Sequence, residues 1–202
     1  YHAPHPIMLR TIHVHRYGTP LREGGSMPAI VEGDDDGLYV LKFRGAGQGV
    51  RALIAEILAG GIARALGLNV PEIVLAELDV ELARTEPDPE IQDLMRASGG
   101  PHVALDYLPG SGGGAPGAGQ EEADGAAGLV RDAELAARLT PDVLQGVVDQ
   151  VPESFLALSA QDQPPGSALA TAAAQRQSYL HYFSARVTDR ARWLEGAERA
   201  RA

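Results

Sequence analysis

The chain has 202 residues, 45% of them hydrophobic, enough for one medium domain or two small ones around a buried core. It holds no cysteine, which excludes disulfides, thiolate nucleophiles, iron–sulfur clusters and cysteine-based zinc sites. A net charge of −10 argues against gripping nucleic acid, and with no apolar run near about 20 residues and no basic-then-apolar leader the expectation is a soluble, cytoplasmic chain without a membrane span.

In chain order, Ile7 to His15 interleaves Ile7, Leu9, Ile12 and Val14 with polar residues at period two, apart from one slip, and predicts a strand. Met27 to Val31, the acidic Glu32–Gly37 turn and Leu38 to Phe43 predict a hairpin. In its second strand Leu38, Val40 and Lys42 share one face, and Tyr39, Leu41 and Phe43 the other. From Val50 to Leu66 the apolar residues Leu53, Ile54, Ile57, Leu58, Ile62 and Leu66 recur at helical spacing, with Gly67 as the end cap. Gly60 and Gly61 inside this helix predict the close approach of another backbone. Glu56 falls with Ala52, Ala59 and Ala63 on a face of small residues, where a strand can come close to its carboxylate.

Further on, Pro71 to Leu78 predicts a strand, Glu86 to Arg96 a short polar helix, and His102 to Leu108 another strand. Pro109 to Gly128 is rich in Gly, Ala and Pro, with almost no large apolar side chains, and is expected to be a flexible linker. After it Leu129 to Leu139 predicts a helix, Thr140-Pro141-Asp142 starts another that runs through Val143 to Val151, and Gln161 to Gly166 forms a loop. Ser167 to Ala202 predicts one long or broken helix burying Leu180, Phe183, Val187 and Leu194. The fold class is therefore α+β, divided as residues 7–108, a linker over 109–128 and a helical part over 129–202.

Of the 17 basic residues only Lys42 is lysine. An ammonium is a compact point charge that reaches a phosphate where the planar arginine fork does not fit, so a solitary lysine among arginines invites a chemical reason; chance retention on a surface is the plainer one. Glu56 follows fourteen residues later, in the middle of the next helix. A strand lysine that holds nucleotide phosphates and is oriented by a helix glutamate needs that order of strand, short loop and helix. A surface salt bridge worth under about 1 kcal/mol explains the same residues.

Tyr39-Val-Leu-Lys-Phe-Arg-Gly-Ala-Gly-Gln-Gly49, the helix with Ala55-Glu56, and Ala65-Leu-Gly-Leu-Asn-Val-Pro-Glu72 together resemble the HipA-like kinase family, from about Leu9 to Gly110 and more weakly through the terminal helices. The resemblance implies a protein-kinase-like amino-terminal lobe, with an antiparallel sheet and one main helix, followed by a reduced, all-helical carboxy-terminal part. It implies that Lys42 binds the phosphates of ATP, that Glu56 orients it, and that Gly24, Gly25 and Ser26 lie in the loop over the nucleotide. Leu105, Asp106, Tyr107 and Leu108 would be the hinge that meets the adenine; an ordinary edge strand is the alternative.

The family's catalytic stretch has no counterpart here. Members follow the hinge with an Asn-x-Asp-Arg loop and a metal-binding aspartate, whereas the sole asparagine of this chain is Asn69, before the hinge. Asp124-Gly125 is a weak echo of the metal motif. The expectation is thus an ATP-type nucleotide site, with magnesium and Ser/Thr phosphotransfer only where the intact protein carries that stretch, and a pseudokinase otherwise. A non-enzymatic module binding a protein partner is the alternative. A dinucleotide fold built on Gly45, Gly47 and Gly49 with Glu77 or Asp79 fits poorly, because its third glycine would fall at Val50. His13 and His15 alternate on one strand without a third metal ligand.

Overall fold

The computed structural model describes residues 8–21, 28–46, 49–84, 86–98, 100–108 and 133–192. By its contacts the chain divides into two units, Met8–Gly60 with Asn69–Glu122, and Tyr1–Ile7 with Gly61–Leu68 and Ala123–Ala202. The α+β class stands. The expected linker over 109–128 lies outside the described residues.

The unit built on Met8–Gly60 holds β1 (Thr11–Pro20), β2 (Ala29–Gly33), β3 (Leu38–Lys42), most of α1 (Val50–Ala65), β4 (Ile73–Leu78), a 3-10 turn (Val80–Arg84), α2 (Pro89–Ala97) and β5 (Pro101–Asp106). The strands close into a barrel in the order β1-β2-β3-β5-β4. Four of its pairings are antiparallel, but β1 and β4 run parallel, from Thr11 opposite Leu75 to Val14 opposite Leu78. This corrects the expectation of a purely antiparallel sheet. Period-two patterning assigns faces to a strand, not the direction of its neighbour, and the long connection through β2, β3 and α1 permits the parallel return. The same topology removes the dinucleotide fold, which needs a doubly wound parallel sheet.

Alternation fills the barrel. Ile12, Val14, Ala29, Val31, Tyr39, Leu41, Val74, Ala76 and Ala104 form one buried core, extended by Phe43, Ala83, Ile91 and Met95. Alanines at 29, 76 and 104 suit the narrow interior of a five-stranded ring. The slip in the first strand is resolved because Met8 to Arg10 precede β1, and the pairing with β2 is irregular between Val14 and Arg16. The helix expected over Glu86–Arg96 is α2; it is amphipathic rather than polar, since Ile91 and Met95 are buried. Asp88 caps it, its side chain accepting from the Glu90 N–H, with Pro89 in the first turn. The 3-10 turn at Val80–Arg84 was not legible in the pattern.

Along α1, Leu53, Ile54, Ile57 and Leu58 are buried. Strand register turns Ile73 and Val103 outward from the barrel, and both are buried too. A Cβ on Gly60 would lie 2.2 Å from Ile73 Cδ1, so the glycine admits the strand's side chain where any other residue would collide.

In the other unit α1 ends on Gly67 at φ +82°, with Leu68 N–H reaching the Ala63 carbonyl at 3.0 Å, and Arg138 Nη1 binding the Leu66 carbonyl at 2.6 Å. Residues 133–138 are helical, followed by α3 (Pro141–Asp149), α4 (Glu153–Gln161) and α5 (Ala172–Thr188). Thr140 caps α3 as its sequence predicts. The sequence pattern predicts no helix where α4 forms. Its Phe155 and Leu156 are buried with Leu144, Val147, Val148 and Val151. The last helix starts at the Thr171 cap rather than at Ser167, and its described part buries Ala172 and Gln175 while Leu180, Phe183 and Val187 are only half-buried. Leu194 lies outside the described residues. Arg176 ties α5 to α4 through Glu153 at 2.5 Å and to the Val151 carbonyl at 3.2 Å.

Candidate functional site

Lys42 is the last residue of β3. The β-ladder fixes its orientation: Leu41 sits opposite Ala104 inside the barrel, so Lys42, opposite Val103, projects outward beside Val40 and Leu105. Glu56 projects from α1, and its carboxylate forms an ion pair with the Lys42 ammonium. The pair is half-buried, with the two side chains 25% and 34% exposed. A cation so held keeps protons available to a ligand arriving from solvent, since an ammonium has three donors and the carboxylate's Oε1 engages one.

The expected small-residue face of α1 needs adjustment. Ala52 is half-buried beside Glu56 but Ala59 is exposed. Close approach comes instead from Gly60 against Ile73 and, in the other unit, from Gly61, whose Cβ would lie 2.8 Å from Val147 Cγ1.

Beyond Lys42 the chain leaves the ladder and is held residue by residue by Ser98–His102. The Phe43 ring meets the His102 imidazole edge-on at 5.8 Å between centroids. Arg44 lies over Gly100, where a Cβ would come within 3.0 Å of Arg44 Nη1; Gly100 has φ +94° as well. Gly45 N–H donates to Ser98 Oγ at 3.1 Å. A turn closes here, with Ala46 N–H donating to the Phe43 carbonyl at 3.3 Å, and Gly49 N–H then reaches the Ala46 carbonyl at 3.0 Å just before α1 begins. Neither Ser98 nor His102 is marked by a sequence motif, because each owes its place to pairing across more than fifty residues.

His102 is the electrostatic anomaly of this end of the barrel. Its ring is buried, and the backbones of Ala76 and Gly100 are the polar groups near enough to favour its charged form, though among the described residues neither Nδ1 nor Nε2 makes a well-aligned hydrogen bond. Burial, reinforced by the Arg44 charge, lowers its pKa to about 4, so the imidazole is neutral at physiological pH. Tyr17 also packs against Phe43, 6.3 Å between ring centroids, and among the described residues its buried hydroxyl has no hydrogen-bond partner. Burial, with the charges of Glu86 and Asp88 nearby, pushes that phenol up to about 12.

Leu105, Asp106, Tyr107 and Leu108 follow on β5 and its exit. Leu105 pairs with Val40 and Ile73 on Lys42's outward face, Asp106 N–H donates to the Glu72 carbonyl at 2.9 Å, and Tyr107 N–H to the Leu38 carbonyl at 2.9 Å. Strand β5 lies between β3 and β4, which rules out the alternative of an ordinary edge strand. Asp106 and Leu108 are exposed. Gly24, Gly25 and Ser26 lie outside the described residues, as does Asp124-Gly125.

Elsewhere, His13 Nδ1 faces Glu77 at 3.2 Å and His15 Nε2 faces Glu32 at 3.5 Å, each histidine matched to its own carboxylate rather than to a shared centre. Among the described residues no group of three or more His, Cys, Asp or Glu side chains could hold a metal ion, and no helix is long and apolar enough to cross a membrane.

A family model described as HipA-like kinase matches residues 14–98, a span that includes Lys42, Glu56 and Ser98 and stops short of Leu105–Leu108. None of the curated proteins and none of the solved structures matches the chain.

Proposed function

We propose, from the match of residues 14–98 to a HipA-like kinase family model, that the barrel and α1 are a kinase-like amino-terminal lobe carrying an ATP-type nucleotide site. The observation that carries the reading is the Lys42–Glu56 pair, a solitary ammonium at a strand's end oriented by a helix carboxylate. In this reading Lys42 holds the phosphates, Glu56 keeps it aimed, Gly24, Gly25 and Ser26 cover the nucleotide, and Leu105–Leu108 border the adenine. The site fits ATP at Lys42, whose charge is accessible without being fully solvated.

Phosphoryl transfer to Ser or Thr would need a catalytic aspartate and metal-binding side chains. With Asn69 the only asparagine, this sequence supplies no catalytic-loop asparagine, so the chain as it stands binds nucleotide without transferring phosphate. Magnesium belongs to that same absent loop, and we assign it no ligand here.

The test is thermal unfolding with and without millimolar ATP and magnesium. The parent is expected to gain several degrees and Lys42→Met to gain none; an unshifted parent, or a mutant that shifts equally, overturns the reading. An intact mass above 21.2 kDa would identify an additional segment. A phosphotransfer assay with radiolabelled ATP would then be expected to give activity.

A further inference from the structure

Four consecutive residues, the last of β3 and the three after it, are met in antiparallel order by residues of β5 and of the segment before it. Lys42 pairs with Val103, Phe43 meets His102, Arg44 covers Gly100, and Gly45 is bound by Ser98. The first of these is ordinary ladder pairing. The last is not, because β3 has ended and a side chain takes over the role of the next strand residue. Ser98 is buried, caps the end of α2 through its own N–H to the Met95 carbonyl at 3.3 Å, and turns its hydroxyl to the Gly45 amide.

We propose that Ser98 is a positioning residue for Lys42: by gripping Gly45 it fixes the path of the chain on leaving β3, and so the height at which the ammonium is presented to nucleotide phosphates. The inference rests on the nucleotide reading above and deepens it. Three features support it. A Cβ on Gly45 would sit 2.7 Å from Ser98 Oγ, with Leu94 Cδ1 next at 3.5 Å, so a larger residue there displaces the hydroxyl. A hydroxyl bound to a turn amide in a partly buried site restrains the backbone where the ladder no longer does. Misplacing a charged donor by a fraction of an ångström weakens what it binds while leaving more distant contacts alone.

The expected signature is therefore loss of phosphate recognition without loss of base recognition. Calorimetric titration of the full chain with ATP and with adenosine should show Ser98→Ala binding ATP about tenfold more weakly while adenosine changes by less than about twofold. A purely structural role for Ser98 would weaken both ligands alike, and that result overturns the proposal, as does unchanged ATP affinity. A double-mutant cycle gives a second reading that does not depend on one variant's stability. Gly45→Ala alone should weaken ATP binding, because its Cβ displaces the Ser98 hydroxyl, whereas adding it to Ser98→Ala should cost little more, the obstructing oxygen having gone. Additive losses would overturn the proposal. A parent chain that binds neither ligand would bring down the nucleotide reading together with this one; a parent that binds ATP through Lys42, with Ser98→Ala indistinguishable from it, would remove this inference alone.

Discussion

Lys42 and Glu56, fourteen residues apart in sequence, meet as an ion pair between the end of β3 and the second turn of α1. Both side chains stay partly open to solvent, and this decides what the pair can contribute. A half-exposed ion pair adds at most about 1 kcal/mol to stability, because water screens the attraction and two long side chains must be ordered. A double-mutant cycle of Lys42→Met and Glu56→Gln, followed by urea unfolding, is expected to return a coupling of about 0.5 kcal/mol. A coupling above about 2 kcal/mol would mean that the pair is primarily a structural brace.

The buried imidazole of His102 makes the barrel acid-sensitive. Its ordinary pKa of 6.5 falls to about 4 in the folded chain, so the unfolded state binds the proton more readily. Its contribution is fully present above pH 6.5, is lost as pH falls between 6.5 and 4, and at its full extent is on the order of 3 kcal/mol. His102→Leu, which keeps the volume and removes the titration, should flatten the pH dependence of the urea midpoint across that window. An undiminished slope in this variant would assign the acid sensitivity to other groups.

At Gly60 and Gly61 helix propensity and space oppose each other. Alanine gains about 1 kcal/mol in a helix interior, but overpacking a filled contact costs about 1–3 kcal/mol. With Ile73 Cδ1 at 2.2 Å from the added carbon, the steric effect wins at Gly60, and Gly60→Ala should lower stability by about 1 kcal/mol. Because the obstruction is the tip of one side chain, Ile73→Val should restore much of the loss. Gly61→Ala should behave likewise, rescued by Val147→Ala. Chemical denaturation of each single and double variant measures both effects.

Arg10 gathers the start of the barrel into one polar cluster. Its guanidinium donates to Asp35 Oδ2 at 2.6 Å, to Tyr39 Oη at 2.6 Å and to Glu72 Oε1 at 2.9 Å, while Tyr39 donates to Asp35 Oδ2 at 2.7 Å. The Tyr39 and Arg10 hydrogen bonds hold the Asp35 pKa at about 2, against an ordinary 3.8. That stabilisation is present above pH 3.8 and is lost as pH falls toward 2. Since Asp35 is over a third exposed, the effect is discounted to about 0.5 kcal/mol. Asp35→Asn should cost this much at pH 7 and nothing near pH 2. Arg10→Met, which strands two carboxylates and a phenol, should cost more.

The local elements of this protein were largely legible from its sequence. Leu53, Ile54, Ile57 and Leu58 carry a helical period strong enough to locate α1, Gly67 and Thr140 mark their helix ends, and the acidic turn before Leu38 fixes the hairpin. The Lys42–Glu56 meeting was legible as well, because one strand and one helix with a short connection leave few ways for the two to diverge. What the pattern did not contain was pairing at long range. The parallel seam between β1 and β4 depends on direction, which alternation does not encode. Helix α4 carries little signal because Glu153–Gln161 is mostly small and polar around its two large buried residues, Phe155 and Leu156. The contacts of Ser98 and His102 with the chain after Lys42 depend on the register of β3 against β5, so neither residue signals its role by its neighbours in sequence.

The closed ring has a final consequence for how this unit can be approached. In an open sheet the flanking strand offers a row of unpaired amides and carbonyls onto which a foreign peptide can add itself. Here the seam between β1 and β4 uses those groups. Along Thr11–Val14 and Leu75–Leu78 a docking macromolecule must therefore be recognised by side chains, because strand addition has no free backbone there.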